Sequence, residues 1–399
     1  DRCAKWGPAM THSDSLLARL GLESVYLDDE HRALRAALRR FVAKEIVPKA
    51  DQWKKDRRLP REVFELMGSL GLMDISFPGA VGGGGGGVRG AVVLSEELGR
   101  STYGGVATSV TAHSDMSALH LVRAGTEQQI ERYLPGIRSG RLICGLGVTE
   151  PDASSDLSNL STSARREGDS YVLNGRKTFI TNANIADLFF VVARTGDNGR
   201  HGLSLFVVER GMPGLSNGRT FEKTGWRSSD LGELVFTDCI VPAECRLGEE
   251  GAGFGLMMQG LDHERICLVA QSIGLAHAAL DSTLEWVRVR EVYGRPLWSL
   301  QAIRHELAAF TARLAGAITL LYHAAQQIDA GNSSRAYAAL LKADVPTLVN
   351  ELTYQCVQFT GGAGFVEGSA IERISRDARF LAIGGGSTEV MRDEVARAM

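Results

Sequence analysis

CGLGVTEPDASSDLSNLSTSARREGDSYVLNGRKTFITN, residues 144–182, is where the chain changes character, and its reading decides the fold. Tyr171-Val172-Leu173, then Asn174-Gly175, then Lys177 to Thr181 reads as a hairpin, because Asn-Gly supplies the positive φ angles of a two-residue turn. Apolar strands are expected at Ala186 to Arg194 and Leu203 to Glu209, flanking the turn-rich Gly196-Asp197-Asn198-Gly199, with another at Glu233 to Phe236. Residues 144–245 therefore read as a β domain, a barrel or a sandwich.

On both sides of this stretch the period is helical. Upstream, acidic Asp28, Asp29 and Glu30 precede Leu34, Leu38, Phe41, Val42 and Ile46, the spacing of one helix face over Asp28 to Lys49. Further helices are expected over Arg61 to Leu70, Val88 to Leu98, Thr108 to Arg123 and Glu127 to Ile137. Downstream, Ile266, Val269, Ile273, Ala276, Leu280, Leu284 and Val287 lie three or four apart, in a helix too long for a surface decoration. Leu300 to Asp329, Ser334 to Phe359 and Thr388 to Ala398 supply three more, enough for a four-helix bundle. The fold class is thus α+β and multidomain, with a helical domain over 10–143, the β domain over 144–245 and a helical bundle over 246–399. Residues 1–9 begin without a Met and read as a cloning remnant, with Met10 as the native start.

Bulk composition narrows the function. Net charge is −3, from 44 Lys and Arg interspersed with 47 Asp and Glu, so there is no basic field for nucleic acid or an anionic membrane. Six cysteines (Cys3, Cys144, Cys239, Cys245, Cys267, Cys356) contain no CxxC pair, and the nine histidines no HExxH, which predicts reduced thiols and no metal. His113, His277 and His323 sit in apolar surroundings and read as core or pocket-wall histidines. With no run of about 18 apolar residues and no signal-peptide core, the expectation is a cytoplasmic protein without a membrane partner. The hexaglycine run Gly82 to Gly87 lacks the GK[ST] ending and preceding strand of a phosphate loop, and reads as a flexible linker or loop. No GxGxxG links a strand to a helix, so any bound nucleotide must be held in some other way.

A set of motifs then resembles one family, the acyl-CoA dehydrogenases, in that family's order over nearly the whole chain. The matching segments are TEPDASSD (149–156), NGRKTFITN (174–182), KTGWRSSD (223–230), LDHER (261–265), RxxYGRPLxxxQ (290–301), QFTGGAGF (358–365) and RDARFLAIGGGSTEV (376–390). The resemblance implies FAD as cofactor, its ring between the β domain and the last helical domain. Val148 and Thr149 would meet the flavin, Ser155 would reach its diphosphate, and Phe179 and Thr181 would cover the ring's other edge. Ser387 and Glu389 are also implied as cofactor residues, and Asp262 and Arg265 as substrate residues. Arg290, Gln301, Gln358 and Gly362 match positions that hold the adenosine diphosphate tail of a neighbouring subunit's flavin, which implies a homo-oligomer, dimer or tetramer.

The chemistry so implied is α,β-desaturation of an acyl thioester, with α-proton abstraction and β-hydride transfer to flavin N5. A positioned carboxylate must take the α proton. In most relatives that glutamate follows the RDA segment, where this chain has Gly385; in the isovaleryl and long-chain branch it lies on the long helix, and Glu264 falls on that position. Glu264 stands on an otherwise apolar helix, where a buried carboxylate is costly unless paired or functional. Arg265 offers an alternative, structural partner, and a solvated surface glutamate is the bland alternative. The backbone N–H of Gly385 is implied as an oxyanion donor needing no side chain. An electron-transfer flavoprotein is implied as electron acceptor. Asp152 and Ser154 stand where the family usually has glycines; with the hexaglycine run they suggest an unusual acyl group, or an acyl-carrier-protein thioester in place of acyl-CoA. An acyl oxidase or flavin monooxygenase on the same fold, or a non-catalytic scaffold, are the other readings of these residues.

Overall fold

The computed structural model describes residues 16–197 and 199–399. Cys3, Met10, the 1–9 segment and Asn198 lie outside them. Helices come first, then a sheet, then helices again, the order the sequence periods predict.

Asp28 opens the helix Asp29–Phe41 by accepting the backbone N–H of His31, and Leu38 and Phe41 turn inward. The chain widens into a π turn at Val42–Ile46 before Val47–Asp56. A second π segment, Ala112–Ala118, joins Gly104–Thr111 to Leu119–Ala124 where one helix was expected. Thr126 and Gln129 cap Glu127–Arg138 reciprocally, as a capping box.

The sheet has eight strands: β1 Cys144–Gly147, β2 Ser163–Glu167, β3 Ser170–Thr181, β4 Leu188–Arg194, β5 Leu203–Glu209, β6 Leu215–Thr220, β7 Leu231–Pro242 and β8 Arg246–Leu247. Their order is β6-β7-β3-β2-β4-β5-β8, with β1 parallel to β4. The expected hairpin turn at Asn174-Gly175 is corrected here, because β3 runs straight through it. Asn174 is pinned sideways, its amide donating to Asp238 Oδ1 at 3.0 Å and its Oδ1 accepting from the Asp238 N–H at 2.9 Å. Gly175 marks a bulge against β7, and any Cβ there would lie 2.6 Å from Thr162 Oγ1. The true hairpin joins β2 to β3 through Gly168, whose φ is +60°.

At the centre of the helical layers runs Gly253–Val289, 37 residues long and buried without interruption from His263 to His277. Such a helix spans roughly 55 Å at the standard rise. It crosses Gly87–Arg100 in backbone contact: a Cβ on Gly274 would lie 2.1 Å from Glu96 O, and one on Gly99 would lie 2.5 Å from Gln271 O. Gln301–Asp329, Arg335–Thr360, Ala370–Leu381 and Thr388–Ala398 complete the bundle, the fourth of these five helices being one the sequence reading passed over. Gln301–Asp329 is long and apolar enough to cross a membrane by composition, contrary to expectation. Here it packs Ile303, Leu307, Phe310, Leu314, Ile318 and Leu321 into the bundle.

The hexaglycine run is a loop but not a flexible one. The amides of Gly82 to Gly86 donate to the carbonyls of Gly79, Pro78, Asp74, Phe77 and Ile75 at 2.8–3.1 Å. His31 Nε2 meets Gly86 O at 2.9 Å, and Asp329 accepts the Val88 N–H at 2.7 Å just beyond. Gly83, Gly84 and Gly86 lie close against Phe77 and Ile75, and Gly82, Gly85 and Gly87 take positive φ.

Candidate active site

On the sheet side, the site is built around a buried ion pair. Lys177 Nζ donates to Glu150 Oε1 at 2.6 Å and to the Val148 carbonyl at 3.0 Å, with both side chains inside the protein. Glu150 accepts further bonds from Ser161 N, Ser161 Oγ and Thr162 N. Burial pushes the Glu150 carboxyl up, but Lys177 and these donors overcome it and hold the group at about 2. The pair fixes the 148–150 segment on β3, where the Thr178 N–H also donates to Thr149 O at 2.8 Å.

One residue further on, β3 bulges between Lys177 and Ile180, and Phe179 takes a φ of +58°. Left-handed backbone is unfavourable for an aromatic residue, and here it turns the ring outward, 57% exposed, against Phe221 at 5.1 Å between centroids. Val148, Thr149 and Thr181 are half-buried and Ser155 is exposed. The Thr149 N–H has no partner among the described residues. An outward aromatic beside a free amide donor fits a planar heterocycle lying across this edge of the sheet. Asp152 and Ser154 reach their turn without positive φ, so the missing glycines leave the loop unstrained.

On the bundle side stands Glu264, 9% exposed on the long helix. Among the described residues nothing hydrogen-bonds its carboxylate. Burial raises the carboxyl to about 7, against the opposing pull of Arg265 and Lys342. Its Oε1 lies 3.3 Å from the point where a Cβ on Gly385 would project. A side chain at 385 would crowd the Glu264 carboxylate and meet Leu268 Cδ1 at 2.5 Å, so glycine there leaves the acid its room. Gly385 has φ +68°, and its N–H is without a partner among the described residues.

The glycine loop is held by cations. Arg265 Nε donates to the Gly385 carbonyl at 3.0 Å while its Nη1 donates to Asp262 Oδ1 at 3.0 Å. Lys342, wholly buried, donates to the carbonyls of Leu381 at 2.7 Å and Gly386 at 2.9 Å. Arg265 is thus committed to the loop and to Asp262 rather than to Glu264. Ser387 caps the next helix by accepting the Val390 N–H, and Glu389 points to solvent.

Asp377 binds the layers together: its carboxylate accepts the N–H of Trp226 at 2.6 Å and of Gly104 at 2.8 Å. Behind Glu264, His263 Nε2 meets Asp115 Oδ1 at 2.9 Å, and with Cys267 the three offer donor atoms within 4.8 Å of one another. The Asp115 oxygens are already taken up by His263, Ser76 and Ser114. Neither cluster was anticipated, nor was Lys342, a cation in an otherwise apolar run of Leu340, Leu341, Ala343 and Val345 interrupted by Asp344. Arg290, Gln301, Gln358 and Gly362 lie on the exposed surface, and the first three side chains bond to nothing among the described residues. The structure does not bring them to Glu264 within this chain.

A buried carboxylate of raised proton affinity, close to a glycine whose amide is unpaired among the described residues, is suited to taking a proton from carbon. Three family models match: "Acyl-CoA dehydrogenase, N-terminal domain" over residues 28–141, "middle domain" over 145–239 and "C-terminal domain" over 251–399. The chain belongs to the acyl-CoA dehydrogenase family. It is 34% identical to the long-chain specific acyl-CoA dehydrogenase of Mus musculus mitochondria, over 97% of this chain and 90% of that protein. Butyryl-CoA dehydrogenase from Megasphaera elsdenii superposes with a TM-score of 0.90 at 34% identity, over 93% and 98% of the two chains. A glutaryl-CoA dehydrogenase from Mycobacterium smegmatis in complex with FADH2 gives a TM-score of 0.90 at 27% identity, over 96% and 98%.

Proposed function

We propose that the protein is an FAD-dependent dehydrogenase that desaturates acyl-CoA thioesters between the α and β carbons, with Glu264 as the base. The observation that carries this is the Glu264 carboxylate, buried, without a hydrogen bond, raised to about 7 and directed at Gly385. A base must match the proton it takes: the thioester acidifies the α C–H only partly, so a carboxylate with heightened proton affinity is a better acceptor than an ordinary one. FAD, when bound, supplies the hydride acceptor that no side chain provides.

The chain's own residues do the rest. Val148, Thr149, Ser155, Phe179 and Thr181 would hold the flavin from the sheet, with Ser387 and Glu389 reaching it from the start of the last helix. The free N–H of Gly385 stabilises negative charge developing on the thioester oxygen. Arg265 serves the substrate by pinning the carbonyl of that same glycine, and Asp262 holds Arg265 in place. Arg290, Gln301, Gln358 and Gly362 would complete the cofactor site of a second copy. Tyr293, 99% exposed, and Phe365, 83% exposed, lie within the same motifs and favour a partner surface there. Electrons would leave through an electron-transfer flavoprotein. The case for a carrier-protein thioester rested partly on a free hexaglycine loop, and that loop is folded; CoA thioesters are the substrates proposed.

Anaerobic mixing with a panel of acyl-CoA thioesters, and matched carrier-protein thioesters, should bleach the flavin fastest with a CoA substrate. Glu264→Gln should slow bleaching by roughly 10²- to 10⁴-fold while flavin content stays unchanged. Bleaching by that variant at the wild-type rate would remove Glu264 from the role.

A further inference from the structure

Two cations approach the catalytic loop, but only one of them comes from another helix. Lys342 sits on Arg335–Thr360, wholly buried, with two of its three ammonium donors spent on the carbonyls of Leu381 and Gly386. These two carbonyls bracket the turn that presents Gly385. The position a Cβ on Gly385 would take lies 3.8 Å from Lys342 Cε and 3.3 Å from Glu264 Oε1, so cation and carboxylate flank one point. A buried lysine is expensive, and capping two carbonyls could be done by a neutral donor. Its charge needs a separate reason.

We propose that Lys342 is a positioning residue that acts on the reaction through Glu264 and Gly385, its charge keeping the base ionised and its hydrogen bonds fixing the amide aimed at the substrate. The inference rests on the proposed role of Glu264.

Other charged groups near this turn are engaged elsewhere. On the long helix itself, Arg265 bonds Asp262 and Gly385 O, and His263 bonds Asp115. On Gly87–Arg100, Glu96 pairs with Arg35 and Glu97 with Arg39. On Ala370–Leu381, Asp377 takes two backbone amides, Arg373 bonds Thr102 and Arg376 bonds Glu372. On Thr388–Ala398, Glu394 pairs with Arg335 and Arg397. Arg123, on Leu119–Ala124, donates to Gln259 O. Arg265 and Lys342 are the cations that act on Glu264, and burial draws the Lys342 ammonium itself down to about 8.

The test is the rate of anaerobic flavin reduction by a saturating acyl-CoA between about pH 6 and 9, in holoenzyme carrying Lys342→Gln or Lys342→Arg. The glutamine can still donate to a carbonyl but carries no charge; the arginine keeps the charge. With Lys342→Gln the rising limb should move about one pH unit to the alkaline side, the rate at pH 7 should fall about fivefold, and the loss should shrink above pH 8.5. With Lys342→Arg the limb should stay at its wild-type position even if the overall rate falls. A purely structural lysine would lower the rate equally at every pH, and that result, or an unmoved limb in Lys342→Gln, overturns the proposal. Should Lys342→Gln fail to retain flavin, Lys342→Met takes its place: an alkaline limb with the charge removed supports the proposal, and an unmoved one overturns it. If wild-type enzyme is not bleached by any thioester, the reading of Glu264 falls and this inference falls with it; wild-type bleaching with an unmoved limb in the variant sinks Lys342 alone.

Discussion

Two of the buried glutamates each have a buried lysine nearby, and they have opposite fates. Glu150, on the sheet side, touches Lys177 directly and accepts three further hydrogen bonds, so its proton is held off down to about 2. Glu264, on the bundle side, accepts none, and Lys342 spends its donors on loop carbonyls instead. Its carboxyl rises to about 7. Burial raises both carboxyls, and at Glu150 the supplied donors and the touching lysine overcome it, whereas Glu264 has neither. Where the lone pairs are filled, the carboxylate is a rivet. Where they are left empty, it can receive a proton.

The contrast can be broken most forcefully at Lys177. Lys177→Met strands the Glu150 carboxylate in the sheet and should destabilise the fold by about 3–5 kcal/mol, read as a large drop in the midpoint of chemical denaturation. A change under about 1 kcal/mol would mean that the pair is not the fixed partnership described.

A smaller effect, of opposite sign, is expected at Glu264. Its carboxyl is raised in the folded protein from an ordinary value of 4.5 to about 7, so whatever stability the proton confers is complete below 4.5 and lost as pH rises through 7. Replacing it by the neutral amide removes that loss. Glu264→Gln should therefore match wild type near pH 4.5 and become more stable than it by up to about 3 kcal/mol at pH 8. Equal denaturation midpoints at both pH values would place the carboxylate in water. The depressed Glu150 behaves in the opposite sense: its contribution is present above 4.5 and lost as pH falls towards 2.

The same contrast shows what could be read from the chain before folding. Glu264 was legible because an acid on a long apolar helix stands out locally, and because LDHER surrounds it. Lys342 stands in a stretch apolar but for Asp344, yet its partners lie 39 and 44 residues away and local pattern says nothing of them. Asn174-Gly175 carries a strong turn signal, overruled by Asp238, 64 residues on, which locks Asn174 into a straight strand. The glycine run looked flexible by composition, but its amides find acceptors between Asp74 and Gly79. Strand β6 gave no signal because it is an edge strand, mostly exposed and without apolar alternation. Helix Ala370–Leu381 did carry one, with Ile371, Ile374, Ala378 and Leu381 at helical spacing, but that segment was read only for its motif. The order of domains needed only periodicity, whereas the polar contacts that make a site depend on pairings across the fold.

The proton affinity of one side chain can be measured without turnover. Infrared difference spectra between wild type and Glu264→Gln, recorded across pH, isolate the carboxylic-acid C=O band of Glu264. The account predicts a band that persists above pH 6 and is half lost near 7, the value its burial dictates. A band that vanishes in the ordinary range around 4.5 would mean a solvated glutamate, and the chemistry proposed for this site would lose its base.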